Sequence, residues 1–325
     1  MQYRKFGRLN WNISEVGYGM WGMAGWSGGD LKETEMALDK AVELGCNFFD
    51  TAWAYGAGKS ENILADLIRR HPEKRLYAAT KIPPKNHQWP PIKDSKIEEV
   101  FPFDHIVQFT EKSLQNLKVD TIDLMQFHVW EDSWSSTDDW KKAIEKLKKE
   151  GKVRSFGISV NRWEPVNCLK ALETQLIDVV QVIYNIFDQS PEDELFPYCE
   201  KEKIAIIARV PFDEGSLTGA LDINSKWDEG DFRNVYFGKE NLINTLERVE
   251  RLKSLVPAEM SLAQLALRFI LNHPTVSTVI PGMRKIRNVE NNMKMGALVN
   301  SELSSQTLSQ LKANRWDRVP TSWSC

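Results

Sequence analysis

Apolar residues in this chain fall into two spacings that alternate from one end to the other. Short runs such as Asn47-Phe48-Phe49-Asp50 and Ile122-Asp123-Leu124-Met125-Gln126-Phe127 have the length of strands. Longer stretches, whose apolar residues return every three or four positions, have the period of helices. The runs predict strands at 15–21, 47–50, 76–81, 122–127, 153–158, 179–182, 204–208 and 276–280. The period predicts helices at 31–44, 60–70, near 103–117, and at 137–150, 164–173, 192–202, 261–271 and 287–295. In the first helix Met36, Ala37, Ala41 and Leu44 form the apolar stripe and Gly45 the stop, while Ser60 is placed to cap the second and Gly151 to end the fourth.

Each predicted strand is thus followed by a helix, and repeated βα units mean a parallel sheet covered by helices. Eight of them fit an α/β fold of the (β/α)8 TIM-barrel type; an open doubly wound sheet is the other arrangement this order permits. The 325 residues would accommodate two domains or one large barrel, and the eight units favour one barrel domain over residues 1–325. Residues 1–13, with Gly7 and Asn10 as turn residues, predict an N-terminal hairpin closing the bottom of the barrel. Two long stretches, 83–102 and 212–239, each follow a strand. In a barrel such βα loops lie on the C-terminal rim, where active sites are built.

Composition removes several classes. With 42% hydrophobic residues the chain can bury a core, and 42 Lys+Arg against 45 Asp+Glu give a net charge of −3 with no basic field for nucleic acid. Cys46, Cys168, Cys199 and Cys325 are far apart and form no metal-ligand or disulfide pattern, so no metal is expected. There is neither a signal-peptide core nor an apolar span of membrane length. The expectation is a soluble, cytoplasmic protein with no membrane and no nucleic-acid partner; oligomeric state is not evident.

The predicted strand ends bring together Asp50, Lys81 and His128, with Tyr55 in the loop just past Asp50. Taken singly, each has an ordinary explanation: a loop cap, a solvated lysine, a packed imidazole, a rim aromatic. Four on one rim suggest shared chemistry. A lysine ammonium lowers a neighbouring phenol from its usual value near 10, and a carboxylate holds that ammonium charged. Tyr55 is then suited to protonate a developing alkoxide while His128 orients the carbonyl. No side chain supplies hydride, so a reduced nicotinamide or flavin is implied.

The segment from Phe48 through Asp50, Tyr55 and Gly56 to Ser60-Glu61, then Thr80-Lys81 and Asp123-Leu124-Met125-Gln126-Phe127-His128, resembles the aldo-keto reductases. The likeness runs from Tyr3-Arg4-Lys5-Phe6-Gly7 to Pro281-Gly282-Met283-Arg284. It implies a (β/α)8 barrel that reduces an aldehyde or ketone with NADPH. In it Tyr55 is the proton donor, Lys81 and Asp50 its tuning pair, and His128 the carbonyl orienter. It further implies that Ser159 and Gln181 bind the nicotinamide carboxamide, with Asn161 as the nearby amide, although Val160 stands directly after Ser159 where the family has Asn. Arg209 takes the place of the ring-stacking Tyr, ahead of Pro211 and Phe212. It is suited to stack on the ring or to attract an anionic substrate, and pairing with Asp213 or Glu214 is the alternative. Ser216, Leu217 and Gly219 belong to the loop at the pyrophosphate. Gly282, Arg284 and Arg287 resemble the 2′-phosphate clamp, with Glu290 and Asn291 near the adenine; a solvated basic face is the alternative there.

Trp21, counted also among the cofactor contacts, lines the expected substrate pocket with Trp53, Trp89 and Trp130. The partner expected is a small carbonyl compound. Two rival readings stand beside the reductase: an NADP(H)-sensing partner module resembling potassium-channel β subunits, and a metal-dependent barrel hydrolase, which the five His, mostly away from strand ends, disfavour.

Overall fold

A computed structural model describes residues 1–24, 31–294 and 303–318. An antiparallel hairpin of β1 (Tyr3–Phe6) and β2 (Leu9–Ser14) precedes eight parallel strands. These are β3 (Tyr18–Gly19), β4 (Phe48–Asp50), β5 (Tyr77–Ile82), β6 (Ile122–Phe127), β7 (Val153–Ser159), β8 (Val179–Ile183), β9 (Ala205–Arg209) and β10 (Val276–Val279). Each pairs with the next in chain order. Parallel bridges from Val16 to Val279 and from Gly19 to Gly282 bring the two edges together. The sheet therefore forms a nearly closed TIM barrel rather than an open doubly wound sheet.

Strand side chains alternate between the two faces of a sheet. Phe48, Ala79, Leu124, Val179, Ala205 and Ile207 pack inside the barrel with Phe6 and Ile13 of the hairpin. Their neighbours Phe49, Ala78, Met125, Val180, Ile206 and Ala208 pack outward in the larger core shared with the helices.

The hairpin plugs the N-terminal end. Arg4 donates to the carbonyls of Leu271 at 2.5 Å and Val276 at 2.9 Å, and Arg8 Nε reaches Asp178 Oδ1 at 2.9 Å. Gly7 has φ 57°, and a Cβ there would lie 2.6 Å from both Ala205 N and Lys203 O. With that end closed, the opposite rim is left to build a site.

Helices stand between the strands as the period predicts, with shifted ends: Leu31–Glu43, Lys59–Arg70, Phe103–Leu117, Asp139–Lys149, Leu169–Glu173, Leu195–Glu202, Leu262–Leu271 and Ile286–Met293. Position 295, the expected end of the last, lies outside the described residues, as does Cys325. The helix expected at 164–173 keeps only its C-terminal part, because Trp163 sits at φ 61° and Cys168, at φ −159°, departs from helical backbone just before Leu169. The first helix buries Ala37, Leu38, Ala41 and Val42, whereas Met36 and Leu44, expected on that stripe, face solvent. Ser60 is not a cap: Gly58 holds that position, and the buried Ser60 hydroxyl bonds Met20 O at 3.2 Å and Thr51 Oγ1 at 2.7 Å. Within the long connection after β9, Lys239–Lys253 is a helix that was not expected, anchored by Leu242, Val249 and Leu252. Among the described residues no helix is long and apolar enough to cross a membrane.

Candidate active site

The alternation that fills the barrel also builds the rim. Two residues beyond inward-facing Phe48, Ala79, Leu124, Val179 and Ile207 come Asp50, Lys81, Gln126, Gln181 and Arg209, and His128 follows Gln126 by two more. The last inward layer of an apolar barrel is therefore polar and charged.

Asp50 and Lys81 are almost fully buried and joined at 2.6 Å from Nζ to Oδ2. Lys81 also donates to Thr51 O at 2.7 Å. The other oxygen of Asp50 accepts Gln181 Nε2 at 2.8 Å and Gln126 Nε2 at 3.1 Å. A buried ion pair needs such extra donors to offset its lost hydration. Gln126 was not foreseen as part of the site. Its signal was an amide inside the apolar end of the strand, between Met125 and Phe127 and two residues before His128.

Lys81 Nζ lies 5.1 Å from the centre of the Tyr55 ring. His128 stands edge-on between two rings, with centroids 5.8 Å from Tyr55 and 5.8 Å from Trp89. Burial raises the Tyr55 phenol above its usual 10, and the charges of Lys81 and Arg209 pull against that rise without cancelling it. The lysine's lowering action is thus present, but desolvation outweighs it. His128 is held well below 6.5, first by burial and then by Lys81 and Arg209, so its imidazole is neutral near pH 7. Its Nδ1 is buried with no hydrogen-bond partner among the described residues.

Arg209 completes this side of the rim. Burial, then the like charge of Arg162, lowers its guanidinium to about 10, which leaves it protonated at neutral pH. Nη2 donates to Val160 O at 3.0 Å and Nε is buried without a partner among the described residues. The alternative pairing with Asp213 or Glu214 does not form: Asp213 is taken by Arg318 and Glu214 by Arg162. The buried Ser159 sits beside Gln181 in register, and its hydroxyl makes no hydrogen bond to the described residues. Asn161 turns elsewhere. Its amide exchanges hydrogen bonds with the backbone of Trp130, at 2.8 Å to the carbonyl, and donates to Glu164 at 2.7 Å, so its polar atoms are spent inside the protein.

The expected tryptophan wall is only partly assembled. Trp89, 44% exposed, is brought by the loop after β5 against His128. Trp21, 41% exposed, meets the edge of Phe232 from the loop after β9 at 5.7 Å. Trp53 packs on Phe109 at 4.7 Å, with Lys112 over its ring. Trp130 is a correction: it is 0% exposed and locked among Phe127, Trp134 and Trp140, so it is core and lines no pocket.

Farther along the rim, Ser216 is buried with its hydroxyl on Asp213 at 2.8 Å, and Leu217 is buried in the core, while Gly219 reaches the surface at φ 74°. Pro211 is buried and Phe212 half-buried beside them. Gly282 is exposed, and a Cβ there would meet nothing within 4 Å. Next to it Arg284 lays its stem over Gly22, 3.1 Å from where a Cβ would sit, and Lys285 begins the helix Ile286–Met293 that carries exposed Arg287, half-buried Glu290 and exposed Asn291. Open space at a glycine beside two arginines and a helix N-terminus fits the phosphate end of a dinucleotide. The unpartnered donors around Tyr55 fit its other end. Among the described residues no cluster of three or more His, Cys, Asp or Glu could hold a metal.

Comparison with known proteins agrees with this geometry. The model of the aldo/keto reductase family matches residues 15–314. The "uncharacterized oxidoreductase YqkF" of Bacillus subtilis is 33% identical over 307 residues, covering 90% of each chain. The NADH-specific methylglyoxal reductase of Escherichia coli is 25% identical, covering 92% of this chain and 93% of its own. Among solved structures, the holo form of aldo-keto reductase AKR11C1 from Bacillus halodurans superposes with TM-score 0.76 at 25% identity, over 98% of both chains. A nearly closed parallel barrel, a charged layer at its C-terminal rim and a family match over almost the whole sequence lead to one conclusion: the chain belongs to the aldo/keto reductase family, oxidoreductases that act on carbonyl groups with a nicotinamide cofactor.

Proposed function

We propose that the chain is an NADPH-dependent reductase that turns a small aldehyde or ketone into an alcohol, with Tyr55 as the proton donor. The observation that carries this reading is the buried Asp50–Lys81 pair, whose Lys81 Nζ lies 5.1 Å from the centre of the Tyr55 ring, with a neutral imidazole beside that ring. When bound, the nicotinamide supplies the hydride. The rest of the work falls to the chain.

His128, neutral, has one N–H to give to a carbonyl oxygen and so fixes which face of the substrate is presented. Tyr55 keeps its proton until negative charge develops on that oxygen, because burial holds the phenol protonated. Lys81 and Arg209 then stabilise the phenolate left behind. Asp50 keeps the Lys81 ammonium in place, and Gln126 and Gln181 keep Asp50 in place.

Ser159, Gln181 and Arg209 are suited to hold the nicotinamide end, Gly219 and the backbone at Ser216 and Leu217 the pyrophosphate. Gly282, Arg284 and Arg287 suit the 2′-phosphate, with Glu290 and Asn291 beside the adenine. The positive charge at Arg284 and Arg287 favours NADPH over NADH. Trp21, Trp53 and Trp89 are the aromatic borders open to substrate. The buried, unbridged Cys46, Cys168 and Cys199 suit the reducing cytoplasm.

Oxidation of NADPH, followed by absorbance over a panel of aldehydes, dicarbonyls and keto-sugars, tests the reading. Turnover of at least one class is expected. Tight NADPH binding with no turnover of any would overturn it in favour of a cofactor-sensing partner module.

A further inference from the structure

Arg318 is almost wholly buried and grips carboxylates from two successive rim loops. Its Nη2 pairs with Asp188 of the loop after β8, and its Nη1 with Asp213 of the loop after β9 at 2.9 Å; Nη1 also donates to the Tyr236 hydroxyl. Asp188 in turn accepts Trp163 Nε1 from the loop after β7 at 3.1 Å and Asn185 Nδ2 at 2.8 Å. Asn185 also donates to Val210 O at 3.1 Å. Asp213 accepts the Tyr236 hydroxyl at 2.5 Å and the Ser216 hydroxyl at 2.8 Å. One guanidinium near the C-terminal end therefore ties together the three loops that leave Ser159, Gln181 and Arg209.

The loop after β9 needs such a tie. Val210, Asp213 and Glu214 have φ of 55°, 44° and 57°, in the left-handed region that non-glycine residues avoid, and Val210 is β-branched. Backbone of this kind persists only where its surroundings over-determine it. Apolar packing would stabilise a core as well as buried charges do. What the planar fork of an arginine adds is fixed angles to two carboxylates at once.

We propose that Arg318 is a positioning residue that preorganises the 210–219 loop for the dinucleotide. It touches no reacting atom and acts through Asp213, Ser216 and the loop backbone. The proposal rests on the dinucleotide reading above, and its test separates the two.

The full-length chain, R318M and the uncharged R318M/D188N/D213N variant are titrated with NADPH, assayed for reduction, and followed by amide hydrogen exchange. With the loop ordered only part of the time, the NADPH Kd and KM rise about tenfold or more while kcat at saturating NADPH stays within about twofold. The amides of 210–219 exchange faster, and those of β5 and β6 stay protected. The triple variant removes the stranded carboxylates and decides the matter where R318M does not fold. A folded variant that binds NADPH as tightly as the unaltered chain overturns the proposal alone. So does a fall in kcat with KM unchanged, or loss of the fold in both variants, since Arg318 would then hold the barrel rather than the loop. An unaltered chain that binds no NADPH overturns the dinucleotide reading and this proposal with it.

Discussion

Lys81 Nζ lies 2.6 Å from Asp50 Oδ2 in a layer where neither side chain reaches water. Removing one charge leaves the other stranded, and breaking a buried pair typically costs about 3–5 kcal/mol. Asp50→Asn is expected to lose about 3 kcal/mol of unfolding free energy and to slow carbonyl reduction with it. Chemical denaturation checks the first. A midpoint equal to that of the unaltered chain would mean that Gln126, Gln181 and Thr51 already satisfy the ammonium and carboxylate separately.

Tyr55→Phe removes one hydroxyl and leaves the barrel and the rim loops as they are. Loss of a general acid costs about 10²–10⁴-fold in rate, so reduction should fall by that much while NADPH affinity is nearly unchanged. Steady-state kinetics and a fluorescence titration check both halves. A variant that keeps most of its rate removes Tyr55 as the acid.

The imidazoles of His128, His105 and His273 are all held below 6.5, with burial the largest cause. Above 6.5 these groups are neutral in both states. Below it the unfolded chain takes up protons that the folded chain refuses, so stability falls as pH drops. Thermal unfolding between pH 7 and 5 should show this decline. His128→Asn should reduce its slope by up to about 1.4 kcal/mol per pH unit. An identical slope in the variant would contradict the assignment.

Arg284→Ala should weaken NADPH far more than NADH, by about tenfold or more for a lost charge-assisted contact of about 1.5–3 kcal/mol. Isothermal titration with each dinucleotide measures it. Equal loss of both would place Arg284 away from the 2′-phosphate.

Gly7→Ala should destabilise the chain by about 1–3 kcal/mol, the usual cost of forcing extra volume into a packed site. The new methyl would meet Ala205 N and Lys203 O at 2.6 Å, at a residue already at φ 57°. A shift in denaturation midpoint with unchanged NADPH affinity is expected, because the hairpin lies at the opposite end from the rim.

Much of this was legible because the period of two reports its own geometry. Phe48-Phe49-Asp50 states that Asp50 shares the face of Phe48, and the same holds for Ala79 with Lys81 and Leu124 with Gln126. Local alternation thus determined the strands, their succession along the chain and which residues share a face, while closure of the barrel decided that the charged face points inward. The helix at Lys239–Lys253 was legible too, in Leu242, Val249 and Leu252, but it follows the 212–239 stretch in a connection where the pattern predicts no element before the helix at 261–271.

Other features had no local signature. Trp130 and Trp89 both follow strands, yet one is core and the other borders His128, because which loop folds inward depends on what packs beneath it. Asn161 sits two residues from Ser159 and is claimed by the loop after β6. Arg318 meets Asp188 and Asp213 across 130 and 105 residues of chain. The sequence alone determined the alternating elements and the family they belong to, since side-chain period and short motifs are local properties. Only the tertiary structure decided which polar groups satisfy one another, because burial makes each choose its partner by distance in space rather than along the chain.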